Sequence, residues 1–228
     1  MTQSSERKAL IVWGGWDGHE PQQVAEIFER ELRNKGFQVE VAATLDAFKD
    51  AEKLKSLSLI VPVWTMSQIS SEQLDPILAA VRGGVGLGGC HGGMCDAFRE
   101  STEWQWMTGG QWVAHPGNDG TDYTVRITDP DHFITRGAPA EFAVKSEQYY
   151  MHTDPSNVTL AVTRFPVADG PHVPNGQFDM PVLWTRMWGA GRVYYNSLGH
   201  HADIIAQPEI LPLMVRGLLW AARAEDAA

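Results

Sequence analysis

The chain is poor in cysteine, poor in charge and free of long apolar runs. Its two cysteines, Cys90 and Cys95, are separated by four residues, with no second pair. That excludes a four-cysteine zinc site and makes a structural disulfide an unlikely framework. Charged residues make up 20% of 228, against 43% hydrophobic residues and 22 glycines, a composition that excludes extended disorder. Its 18 basic residues face 28 acidic ones, for a formal net charge of −10. Without a basic cluster, nucleic acid is excluded as a partner. The N-terminus is polar, and the only apolar run near it, Ala9 to Trp13, is too short for a signal segment or a membrane span. The expectation is a cytoplasmic protein that does not contact membrane. No His-Glu-x-x-His and no Walker A pattern occurs.

What the chain does have is 8 histidines and 9 tryptophans, set in an α/β rhythm. Apolar runs at Lys8–Trp13, Gln38–Ala42, Leu57–Val63 and Val85–Cys90 read as strands. Between them, Pro21–Lys35 has helical apolar spacing and a stop at Asn34-Lys35-Gly36. Ser71–Arg82 reads as a helix whose regular part starts late, with Asp75 as N-cap and Pro76 in the first turn. The second half alternates instead, at Tyr123–Ile127, Phe142–Val144 and Thr159–Val162. Pro166–Pro181 reads as a long loop or flap. Val182–Thr185 and Arg192–Asn196 read as a hairpin about Trp188-Gly189-Ala190-Gly191, and Glu209–Ala222 as a docked helix. No repeat or linker divides the chain, so one domain over residues 1–228 is expected. It would be a mostly parallel sheet flanked by helices, with an antiparallel C-terminal extension.

Ligands of open parallel sheets bind beyond the carboxyl ends of the strands. Three polar segments follow predicted strands: Gly14-Gly15-Trp16-Asp17-Gly18-His19-Glu20, Trp64-Thr65-Met66-Ser67 and Cys90-His91-Gly92-Gly93. Gly84-x-Gly86-x-x-Gly89 formally fits a dinucleotide fingerprint. Its glycines fall inside the strand rather than in the turn after it, so they read as packing glycines. Gly89-Cys90-His91-Gly92-Gly93 instead reads as a sharp strand-to-helix elbow exposing His91. The amides of the following helix are then expected to favour an anion.

These residues, with Ser146-Glu147-Gln148-Tyr149-Tyr150-Met151-His152 and Trp188 to His200, carry a resemblance. The chain resembles the trehalose-utilisation (ThuA-like) family of the class I glutamine amidotransferase-like superfamily, whose fold is flavodoxin-like. The amidotransferases place a cysteine at the elbow. Here Cys90 falls one place early and His91 takes the position, as in ThuA-like proteins. Cys90 should then point into the sheet, against a cysteine-dependent hydrolase or amidotransferase. The resemblance implies trehalose or related disaccharide metabolism, with acid/base chemistry on a sugar or keto-sugar. A carbohydrate is the expected small-molecule partner. A non-catalytic sugar-binding or regulatory module is the alternative, and a homo-oligomer is left open.

His91, Glu147 and His200 are the expected catalytic residues, since imidazole and carboxylate can serve as acid and base. Trp16, His19, His115, Tyr149 and His152 are expected to line the substrate site. Histidines with a carboxylate also suit a divalent ion such as Zn2+, with His19, His152 and His200 as candidate ligands. His201, where family members commonly have an acid, has no assigned role. Asp154 reads as a turn residue, and His132 and His172 as solvated loop residues.

Overall fold

A computed structural model describes residues 6–228; residues 1–5, part of the polar N-terminus, lie outside the described residues. In chain order the elements are β1 (Lys8–Gly15), α1 (Pro21–Asn34), β2 (Gln38–Ala42), α2 (Ala51–Lys55), β3 (Leu59–Thr65), α3 (Ser71–Gly83), β4 (Gly86–Cys90), α4 (Gly92–Cys95) and α5 (Thr102–Thr108). There follow β5 (Gly110–Ala114), β6 (Thr121–Ile127), β7 (Glu141–Ser146), β8 (Tyr150–Thr153), β9 (Val158–Phe165), β10 (Phe178–Trp188), β11 (Gly191–Asn196), α6 (Ala202–Ile205) and α7 (Leu211–Ala221).

Nine strands form one sheet in the order β2-β1-β3-β4-β11-β10-β9-β6-β7. The first five run parallel and give the 2-1-3-4-5 order of flavodoxin-like folds, with β11 as the fifth strand. The last four pair antiparallel. The antiparallel extension therefore lies mostly between β4 and β11 in sequence, and the chain returns through β11 to complete the parallel half.

The period of two along each strand divides the core. Ala9 and Ile11 of β1 join one apolar cluster with α1 and α7, while Leu10 and Val12 join the other with α2, α3 and α5. Burial on both faces explains why β1 and β3 read as unbroken apolar runs. The glycines of β4 serve packing, as expected. A Cβ at Gly86 would strike the Ala221 carbonyl of α7, and one at Gly88 would strike Leu218.

The start of α3 differs from expectation. Ser70 is its N-cap in a capping box with Gln73, so Pro76 sits inside the helix rather than in its first turn. Two reciprocal bonds at the N-terminus outweigh the single hydrogen bond that Pro76 cannot make. Strands β5 and β8 were not anticipated; they form a separate two-stranded sheet. This small sheet flanks the segments that carry His115 and Tyr149.

Candidate functional site

The carboxyl ends of β1, β3, β4 and β11 converge on one rim, and backbone strain concentrates there. Glu20, Met66, Ser67 and His91 all have positive φ, at 47°, 62°, 62° and 47°. Such conformations cost about 1–3 kcal/mol each and persist only where the surroundings over-determine them. At the elbow that condition is met. The His91 amide donates to the Asn196 carbonyl at 2.7 Å, and the Tyr195 hydroxyl donates to the His91 carbonyl at 3.1 Å. Gly92 follows because no side chain fits: a Cβ there would run into the His19 ring. Helix α4 is a single turn, Gly92–Cys95, and the amides of Met94 and Cys95 both point to the His91 carbonyl.

His91 is buried at 2% exposure. Its Nδ1 lies 2.7 Å from the Ser197 carbonyl, its Nε2 lies 3.1 Å from Glu147 Oε2, and its ring stacks on Tyr149 with centroids 4.0 Å apart. His200 Nδ1 reaches the same Glu147 Oε2 at 3.2 Å, without hydrogen-bond alignment. His19 enters from the turn after β1; its Nδ1 is 2.8 Å from Thr65 Oγ1, and its ring lies 4.8 Å from His91 and 5.0 Å from His200.

Glu147 sits in the link between β7 and β8, where Glu147, Gln148 and Tyr149 are all buried. Buried irregular backbone needs partners. Tyr123 hydroxyl donates to the Glu147 carbonyl at 3.0 Å, and the Gln148 amide donates to Thr163 Oγ1 and the Arg164 carbonyl while accepting from the Val167 amide. The link is thus a rigid mount for one carboxylate.

The electrostatics follow from this crowding. Burial pushes His19 down to about 2, reinforced by the neighbouring His91 and His200. Burial also lowers His91, although Glu147 and the Ser197 carbonyl act the other way. Burial pushes the Glu147 carboxyl up, but the opposing effects of His200 and His91 hold it below the usual carboxylate range.

One ligand atom each from His19, His91, Glu147 and His200 can be chosen so that all four lie within 4.8 Å of one another. Three imidazoles and one carboxylate are the donor set of Zn2+ and similar ions. His200 Nδ1 is buried without a hydrogen-bond partner, and the Ser197 and Thr65 contacts orient two of the rings. The residues fit a divalent ion.

Of the expected site residues, His91, Glu147, His200, His19 and Tyr149 come together. Trp16 stands at the edge, half exposed, with its ring 4.7 Å from His19 and 6.5 Å from His200. His115 follows β5, with Nε2 3.6 Å from Glu147 Oε1. His152 does not join. It lies exposed on β8, where Met151 takes the inward position, so His91 and Glu147 take its place in the ligand set. His201 faces the rim, with Nε2 3.7 Å from Asp119. Asp154 forms the expected turn with Ser156. His172, read as solvated, lines a cavity and has Nε2 buried. Thr65 and Ser197, which orient the histidine rings, had no sequence signal beyond their places after strand ends. Cys90 is buried among core residues and its thiol is pushed up to about 12 by burial, a poor nucleophile.

The trehalose-utilisation (ThuA) family pattern matches residues 8–221. The chain belongs to the ThuA family. Solved structures agree in fold. A ThuA-like protein from Bacteroides uniformis is 18% identical, with a TM-score of 0.76 over 97% of this chain and 94% of that one. One from Parabacteroides merdae is also 18% identical, with a TM-score of 0.71 over 96% and 90%. A protein described as cytoplasmic from Salmonella typhimurium is 12% identical, with a TM-score of 0.64 over 94% and 98%. No curated protein matches the chain in sequence. Among the described residues of this ThuA-family chain, no helix is long and apolar enough to cross a membrane.

Proposed function

We propose that residues 1–228 act as one cytoplasmic enzyme domain of carbohydrate metabolism, performing acid/base chemistry on a sugar or keto-sugar at a centre that holds a divalent ion. The observation that carries the reading is the buried His19–His91–Glu147–His200 cluster, placed at the strand ends where α/β sheets bind ligands. The bound ion would supply Lewis-acid polarisation of a substrate oxygen. His19, His91, His200 and Glu147 would hold it.

The residues around the cluster supply the rest. Glu147 Oε1 faces His115 rather than the His91–His200 side, so it is the carboxylate oxygen placed to accept a proton. Buried histidines keep the carboxyl ionised at neutral pH. His115, partly exposed, passes a proton between Glu147 and the open side. Trp16 offers a flat apolar face beside His200 against which the C–H face of a sugar ring can stack. Proton abstraction next to a sugar carbonyl is the reaction type this arrangement serves.

The test is turnover of keto-disaccharides by wild type, His91→Ala and Glu147→Gln. Loss of about 10²-fold or more in both variants is expected, the scale of a positioned acid or base. Unchanged turnover in both overturns the assignment. Saturable sugar binding without turnover in wild type would favour a binding module instead.

A further inference from the structure

A cavity of about 670 Å3 opens beside the cluster, within the range of small-molecule sites. His115 belongs to both: it lines the cavity, and its Nε2 lies 3.6 Å from Glu147 Oε1. An occupant of the cavity is therefore one imidazole away from the reacting centre.

The lining has a particular chemistry. Trp112, Tyr150, Phe165 and Phe178 surround the space, and among the described residues no Lys, Arg, Asp or Glu lines it. Phe178 stays 37% exposed and Val113 39% exposed on its walls, apolar surface that the fold itself leaves uncovered. The polar side chains are few and uncharged or imidazole: Asn118, Asn175, the Tyr150 hydroxyl, His115 and His172.

A second pyranose ring would be a poor occupant. It could stack one C–H face on an aromatic ring, as proposed for Trp16, but its hydroxyls would then meet the other rings. A charged group would find no counter-ion. A planar aromatic group would cover Phe178 and Val113 and pack edge or face against the surrounding rings.

We infer that this cavity receives an aryl aglycone, so that the substrate class is a glycoside carrying an aromatic group, with its sugar ring at the cluster. The inference rests on the proposed sugar chemistry for the placement of the sugar, but the cavity's selectivity is read by binding alone.

The experiment measures calorimetric binding of phenyl and methyl glucosides, in both anomeric forms, to the purified wild type and to Phe178→Ser and Val113→Ser. Both substituted residues are partly exposed, and circular dichroism checks that the variants fold. Wild type should bind the phenyl glucoside at least 10-fold more tightly than the methyl glucoside in one anomeric series. The ratio should fall toward one in at least one variant. Equal affinities in wild type, no binding of either compound, or a ratio that both variants leave intact would overturn the inference. Aryl preference in a protein with no turnover and no metal would defeat the proposed function and leave the aglycone cavity standing. Turnover and metal without aryl preference would do the reverse.

Discussion

His91 donates its Nδ1 proton to the Ser197 carbonyl across 2.7 Å, and this contact decides what its other nitrogen can do. A carbonyl oxygen only accepts, so the neutral ring must carry its proton on Nδ1 and present a lone pair at Nε2. That lone pair points at Glu147 Oε2, 3.1 Å away. Burial disfavours the imidazolium that would resolve the conflict. A divalent cation held by both residues would resolve it, as the proposed metal centre requires.

The ring orientation should matter as much as the ligand atoms. Gly92→Ala places a methyl group against the His19 ring and the Thr65 methyl group. Zinc affinity, measured by competition with a chromophoric chelator, should weaken about 10–100-fold, the scale of disturbed ligand support. Unaltered affinity would remove His19 from the ligand set.

The cysteines should be silent. Cys90 and Cys95 are both buried, and burial raises both thiols, Cys90 to about 12. A raised thiol pKa leaves the neutral, weakly nucleophilic form dominant at pH 8. Native protein treated with iodoacetamide at pH 8 should keep both thiols and its activity, and unfolding should release them. Rapid native alkylation with loss of turnover would revive a cysteine mechanism.

How far the site was legible follows from where its residues sit. His19, His91 and His200 each follow a strand of the parallel half, and apolar runs mark those strand ends in sequence. That the first half forms a parallel sheet was legible because β1, β3 and β4 are buried on both faces; that β11, read as half of a hairpin, completes it as the fifth strand was not. His152 was misassigned because a period of two makes neighbours face opposite ways: Met151 points in and His152 out. Glu147 was found as a candidate base, but nothing in the sequence ties it to both His91 and His200; the β7–β8 link that mounts it depends on side chains as distant as Tyr123 and Thr163. The aromatic cavity was hidden for the same reason, since its walls come from β5, β8, β9 and the segment before β10.

Packing of the last helix gives a prediction independent of function. Gly217 of α7 lies against the ring of Tyr194, where a Cβ would overlap ring carbons. Tyr194 is fully buried, and its hydroxyl donates to the Leu213 carbonyl at 3.1 Å, so the ring has little room to retreat. Gly217→Ala should destabilise the fold by about 1–3 kcal/mol despite the higher helix propensity of alanine. Urea denaturation reads this directly; equal or greater stability would mean the α7–β11 contact is looser than described.

Elemental analysis tests the central claim most directly. Protein expressed in metal-supplemented medium and passed through a desalting column should carry about one divalent ion per chain, and Glu147→Ala and His200→Ala should each carry far less. Wild-type protein that turns over substrate at full rate with no bound metal, or variants that retain the full complement, would contradict a centre built from His19, His91, Glu147 and His200.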